Sequence, residues 1–437
     1  MIEYFVDPIL RAPTWGCILM CLSSSLMGVI VFLRKKSLLA ESLSHASYPG
    51  IVIGIFLLAS FFPQSGSEWT FLAVLLGALG TSFLALRSIE WLERRGKVFP
   101  DAALCFVLSV FFGSGIVFAS GLQGVYPSWF KQMQMLLFGQ VATMRDAHVA
   151  VYGSLALLVS LFLATLYRPL QAILFDSGYA KSLGMSVKSI DRLFHILLLF
   201  SIIVSLRSVG VVLMSGMLIA PAVAARQYTN RLATMFWLAG FFGISSAFLG
   251  YVLSVEGSSY ASSPELKISL PTGPLIVLVS VFFALFSLCL APERGVAFRL
   301  ARVARFKLRC LQENILKALW KKKVASRQQL RDSHQVSSFL FLWTLWRMLK
   351  QGWLQKRAGV YELTADGYQK AASVVRLHRL WEVYLAHYLG KDPHCVHRNA
   401  EEMEHILTPD LERRLTELLA NPEIDPHQQP IPGRQRL

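Results

Sequence analysis

Three groups of residues in this 437-residue sequence combine histidine with carboxylates at helical spacing. Glu41 and His45 stand four apart in RKKSLLAESLSHASYPG, and His378 and Glu382 stand four apart in RLHRLWE. His397, Glu401, Glu404 and His405, in HCVHRNAEEMEHILTPD, fall at i, i+4, i+7 and i+8. On a helix each group occupies one face. Imidazole nitrogens and carboxylate oxygens brought together in this way suit a divalent cation, and several deprotonated donors must converge to hold one. An ordinary reading competes for each. Glu41 and His45 could be an interfacial pair facing headgroups. Met403, Ile406, Leu407 and Leu411 would make the last stretch a dimerisation helix with a solvated polar face.

The elements that must position these residues differ between the two ends of the chain. With 54% hydrophobic residues and a mean hydropathy of +0.48, the chain is too apolar for an ordinary soluble protein. Apolar segments of spanning length occur at roughly 14–33, 44–61, 69–89, 102–120, 146–167, 232–254 and 273–291. A longer apolar stretch, 193–225, is interrupted at LRSVG. The basic clusters Arg34-Lys35-Lys36, Arg94-Arg95-Lys97, Lys181 with Lys188, and Arg226 with Arg231 all fall inside if that stretch crosses twice. Nine crossings follow, or eight if one short segment is re-entrant, with the N-terminus outside and the tail in the cytoplasm. The N-terminal MIEYFVDPILRAP has no basic region before an apolar core, so a cleaved signal peptide is not expected. The six cysteines, 17, 21, 105, 289, 310 and 395, form no CxxC pair and are expected to be reduced.

A polar cytoplasmic loop, FDSGYAKSLGMSVKSIDRLF, has Gly178, Ala180 and Gly184, small enough for another surface to approach. No GxxxxGK[ST] phosphate loop occurs, so any ATP-driven step needs a second chain. After Ala291 hydropathy falls. Twelve Lys or Arg and one acid, Glu313, lie between Arg294 and Arg331, a basic stretch suited to anionic lipid or nucleic acid. QENILKALWKK predicts a helix, SRQQLRDSHQVSSFLFLWTLWRMLKQGWLQ a helix-turn-helix, and WLQKRAGVYELT a hairpin with its tip at Lys356–Gly359. Together they predict a winged helix-turn-helix. Ser337, Ser338, Lys350, Lys356 and Arg357 are its candidate DNA contacts, although the recognition helix runs into an apolar FLFLW.

LLAESLSHASYPGIVIG, LLFGQVATMRD, FDSGYAKSLGMSVKSID, VGVVLMSGMLIAPAVAAR and LPTGPLIVL, in that order, resemble the permeases of zinc, manganese and iron ABC importers. The resemblance implies a homo- or heterodimeric permease fed by a periplasmic metal-binding protein and driven by separate ATPase subunits. It implies that Glu41 and His45 line the metal path and that the loop around Gly178, Ala180 and Gly184 docks on the ATPase. The family commonly has Asp where Glu41 stands.

From about Glu313 to Pro432 the chain is similar to the diphtheria-toxin-repressor and manganese-repressor family, on RLHRLWE, VHRNAEEMEHILTPDLERRL and NPEIDPHQQPIP. That similarity makes His378, Glu382, His397, Glu401, Glu404 and His405 the implied metal ligands. Without a thiolate among them, Mn²⁺ and Fe²⁺ rank ahead of Zn²⁺. Where family members place a ligand on the first helix this chain has Asn314, one turn on it has Lys317, and the DPHG glycine is Gln428. The order of the modules resembles chlamydial permease–repressor fusions.

The expected architecture is therefore an all-α polytopic membrane domain of eight to nine crossings, residues 1–292, and a basic linker, 293–310. An α+β winged helix-turn-helix follows at 311–375, then a helical metal-binding and dimerisation region at 376–437. The expected role is a non-enzymatic, multi-pass permease subunit in the bacterial inner membrane carrying a metal-dependent repressor that binds an operator. The alternative is a tail that senses metal and regulates transport without touching DNA.

Overall fold

The computed structural model describes residues 3–61, 67–127, 129–130, 139, 141–211, 213–261, 270–332, 337–389 and 409–433. It divides into two compact units, 1–298 and 299–437.

The first unit is helical. Its elements are α1 (Glu3–Val6), α2 (Arg11–Leu33), α3 (Ser37–Ala46), α4 (Tyr48–Phe61), α5 (Ser67–Arg94), α6 (Pro100–Val125), α7 (Asp146–Thr165), α8 (Tyr167–Phe175), α9 (Ser177–Ser182), α10 (Val187–Val209), α11 (Met214–Arg226), α12 (Leu232–Ala261) and α13 (Thr272–Leu290). Eight spans among the described residues are long and apolar enough to cross a membrane, with α3 and α4 forming one of them. The apolar stretch 193–225 is indeed divided. The first helix stops at Val209, and Gly210 takes φ +91°, a conformation that a Cβ disfavours. At 13 residues α11 is about 20 Å long, short of a hydrocarbon core of about 30 Å.

In lipid, helices associate through close backbone packing, and small residues permit it. A Cβ on Gly50 would lie 2.0 Å from the Gly77 carbonyl oxygen, and one on Gly77 would lie 2.1 Å from that of Gly50, so α4 and α5 touch backbone to backbone. Gly28 lets α2 meet α11 in the same way, 1.7 Å from the Leu218 oxygen. Buried hydroxyls lock the bundle: Ser24 to Ser205 at 3.3 Å and Tyr152 to Ser208 at 2.7 Å.

The second unit takes up α14 (Val296–Lys322) from Arg299 onward. The basic stretch and the helix expected after it are one continuous helix. Then come β1 (Val324–Ser326), α15 (Arg327–Asp332), α16 (Ser338–Lys350), β2 (Leu354–Arg357), β3 (Val360–Leu363), α17 (Ala365–Leu389) and α18 (Pro409–Leu418). The antiparallel sheet has the order β1-β3-β2, pairing Ala325 with Tyr361 and Lys356 with Tyr361. Ala358 and Gly359 close the hairpin at φ +49° and +81°, the two positive values a two-residue turn needs to match strand twist. Leu311, Ile315, Leu316 and Leu319 of α14 pack against Phe341, Leu345 and Met348 of α16. The expected winged helix-turn-helix is present.

Candidate functional site

The α3 helix is held by its serines. Ser42 donates to the Leu104 carbonyl at 2.9 Å, and Ser44 donates to that of Val211 at 2.6 Å. The α3 backbone accepts in turn from Ser82, at the Leu43 oxygen. These bonds tie α3 to α5, to α6 and to the break between α10 and α11, which fixes where its polar face points. Glu41 opens onto a cavity of about 380 Å³ lined also by Ser37, Ser215, Gly216, Ile219 and Ala284. His45, one turn on, packs edge-on against Phe112 with ring centroids 4.7 Å apart. Its Nδ1 is buried without a hydrogen-bond partner among the described residues. The two side chains share a face, as the spacing predicts, yet no hydrogen bond closes one onto the other. The pair is left open.

The loop after α8 forms the short helix α9. Asp176 caps it, its carboxylate accepting from the amides of Gly178 at 2.7 Å and Tyr179 at 3.2 Å. Ala180 is fully buried, Gly178 is exposed, and Gly184 ends the segment at φ +76°. Sequence reasoning found these small residues and missed the larger ones beside them. Phe175, Tyr179 and Leu183 are 91%, 57% and 53% exposed, an apolar row around α9. At the root of this segment Arg34 bonds Asp191 at 2.7 Å and lies over the Phe194 ring, joining the end of α2 to the start of α10.

In the second unit His378 and Glu382 do come together: Nε2 lies 3.1 Å from Oε1, and the two residues are 4% and 2% exposed. A third group joins them. Lys317 of α14 places Nζ 3.1 Å from His378 Nδ1. An ammonium can only donate, so Nδ1 accepts and the Nε2–H of the imidazole donates to Glu382. Lys317, His378 and Glu382 each have a further interaction beside these. Among the described residues no three His, Cys, Asp or Glu side chains gather as a metal cluster. His397, Glu401, Glu404 and His405 lie outside the described residues.

The same helix α17 grips the end of the chain. Buried Arg376 donates to Glu412, to Thr416 and to the Pro432 carbonyl, and Arg379 pairs with Asp425. Asp425 organises a turn, accepting from the amides of His427 and Gln429 at 2.9 and 2.7 Å. Gln428 within it sits at φ +60°, which explains why the resembling family favours glycine there.

Of the candidate DNA contacts, Ser337 and Ser338 begin α16 and Lys350 ends it, about 18 Å away by helical rise. Lys356 and Arg357 are exposed at the wing tip. The candidates thus form three separate polar points. Between them α16 exposes Phe339, Leu342, Trp343 and Trp346, with Arg347 over Trp343 at 5.6 Å and Lys350 over Trp346 at 5.2 Å. Arg347 is a further cation of that helix face which the sequence reading passed over.

Residues 6–291 match the ABC 3 transport family. This chain belongs to that family. Residues 364–433 match the iron dependent repressor, metal binding and dimerisation domain, so a permease and a repressor-type metal-binding domain share one polypeptide. The combination recurs in a "probable metal transport system membrane protein" of Chlamydia trachomatis serovar D. That protein is 32% identical, over 99% of this chain and 98% of its own length. The manganese transport system membrane protein MntC of Bacillus subtilis is 30% identical over 85% of this chain and 83% of its own. In structure the permease is similar to PsaBC from Streptococcus pneumoniae, with a TM-score of 0.55 and 25% identity over 67% of this chain and 98% of that one. The permease is a multi-pass membrane protein and a non-enzymatic transport subunit.

Proposed function

We propose that this permease imports Mn²⁺ or Fe²⁺, with Zn²⁺ a weaker substrate, across a bacterial inner membrane. The observation that carries the reading is Glu41. An ionisable side chain within a span is costly unless it serves a pathway, and this one opens onto a cavity rather than closing on its neighbour. His45, with an unpartnered nitrogen one turn away, is the second donor of the path. A carboxylate and an imidazole suit a passing divalent ion, holding it too loosely to trap it. Similarity to a manganese system supports the choice of ion.

A separate ABC ATPase drives the cycle by docking on the α9 segment. Phe175, Tyr179 and Leu183 supply apolar contact there, and Gly178, Ala180 and Gly184 allow close approach. A periplasmic metal-binding protein delivers the ion, and a second permease, identical or sister, completes the translocation unit. The tail lies in the cytoplasm, where it reports the ion through His397, Glu401, Glu404 and His405 and represses at a DNA operator. Contacts come from the α16 start and the wing, and the basic face of α14 can rest on anionic lipid. The repressor-domain match favours this reading over a tail that regulates transport alone.

The test is ATP-dependent ⁵⁴Mn uptake into proteoliposomes holding the permease and its operon's ATPase. Uptake by wild type and none by Glu41→Gln supports the reading. Equal uptake by both removes Glu41 from the path. For the tail, a gel shift on the operon's promoter that requires Mn²⁺ or Fe²⁺ is expected. A shift indifferent to metal excludes metal-dependent repression.

A further inference from the structure

The α16 helix of the winged unit is apolar on two sides. Phe341, Leu345 and Met348 fill the core against α14. On the other side Phe339, Leu342, Trp343 and Trp346 stand at i, i+3, i+4 and i+7, which is one helix face. All four are exposed, Phe339 to 80% and Trp346 to 56%. The face ends in cations. Arg347 lies over the Trp343 ring at 5.6 Å and Lys350 over the Trp346 ring at 5.2 Å, and α16 carries no acid. A contiguous apolar patch rimmed by charge marks a surface that something covers.

Chemistry discriminates among the surfaces that could cover it. A DNA groove is read by polar side-chain tips and offers apolar rings little beyond thymine methyls. A second copy meeting this face with its own would bring Arg347 and Lys350 to an interface in which α16 supplies no carboxylate. The headgroup layer of an anionic bilayer takes both parts at once. Aromatic rings sit at the level of the headgroups, and Arg and Lys reach lipid phosphates. A membrane is also close along the chain. The span α13 ends at Leu290, and α14 begins at Val296 with Arg299, Arg302 and Arg305 exposed.

We propose that the Phe339, Leu342, Trp343 and Trp346 face of α16 docks into the headgroup layer of an anionic phospholipid membrane. The rings bury apolar surface, and Arg347 and Lys350 set the preference for anionic over neutral lipid. This contact belongs to the winged unit and is separate from the basic face of α14. It rests on neither the metal-import reading nor the operator reading, which the uptake assay and the gel shift test independently.

The experiment uses the full-length chain in bilayer discs of phosphatidylcholine, alone or mixed with phosphatidylglycerol. A photo-crosslinking benzoylphenylalanine replaces Trp346, and mass spectrometry identifies what it captures. A phospholipid adduct is expected, about tenfold more abundant in the discs with phosphatidylglycerol. Arg347→Gln combined with Lys350→Gln is expected to abolish that preference. The same probe in place of exposed Glu417 of α18 is expected to capture no lipid. Capture of protein instead of lipid, equal lipid capture at 346 and 417, or a yield indifferent to phosphatidylglycerol each overturns the proposal. A double variant that keeps the preference overturns it as well. If the Trp346 replacement does not fold, the probe in place of Phe339 reads the same face.

Discussion

The α3 pair and the α17 pair use the same two side-chain types at the same spacing and meet opposite fates. In the membrane unit Glu41 faces a cavity and His45 keeps an unpartnered nitrogen. In the tail His378 and Glu382 bond each other, and Lys317 reaches the ring from a neighbouring helix. Order along the helix does not account for this, since i, i+4 neighbours can meet in either direction. The surroundings do. Around α3 the polar tethers are serine hydroxyls that bind backbone and leave the ionisable groups alone. Beside α17 a neighbouring helix supplies a cation at the one position where it reaches the ring.

The largest effect that would test this contrast lies in the membrane. Glu41→Gln and His45→Ala are each expected to reduce ⁵⁴Mn uptake by about a hundredfold or more, with protein level and detergent stability near wild type. A large stability loss with either would mean that the α3 pair is a structural contact and not a path. The converse applies to the tail. Glu382→Ala removes the acid of a buried charge chain and is expected to destabilise α17 by about 3 kcal/mol, read as faster hydrogen exchange, with uptake unchanged. Normal exchange would show that the closure stabilises nothing.

Filling the open site is a milder perturbation. Gly216 lines the cavity together with Glu41, and its Cβ position lies 3.1 Å from Val277 Cγ1, a contact that a shift of a few tenths of an ångström relieves. Gly216→Leu is therefore expected to fold and to lower uptake by about tenfold, distinguishing a cavity that conducts from one that merely exists. The smallest expected effect is that of Ser44→Ala, which frees α3 from Val211 at a cost of about 1 kcal/mol and is read as a lower midpoint of thermal unfolding. If Ser44→Ala leaves stability unchanged but cuts uptake, then the serine orients the path more than it holds the fold.

Much of the architecture was legible in the sequence. Spans declare themselves because a lipid-facing helix must be apolar over about twenty residues, and the break at LRSVG shows because Gly210 permits a φ of +91°. The wing followed from a Lys356–Gly359 tip between two strand-like runs, and Gln428 occupies the left-handed position that the family pattern assigns to glycine. The i, i+4 spacings placed each acid on the same face as its histidine. The exposed Phe175, Tyr179 and Leu183 were not readable by that periodicity, because extended Asp176 separates Phe175 from α9.

The sequence by itself thus determined which residues share a helix face, because that depends on a 100° rotation per residue and nothing else. It could not determine what stands opposite that face. Lys317 lies 61 positions from His378, and only the packing of α14 on the winged unit brings its ammonium to the ring. Likewise, only the bonds of Ser42 and Ser44 to Leu104 and Val211 leave Glu41 turned to open space. Local spacing proposes a ligand pair. Long-range packing decides which other groups reach the pair.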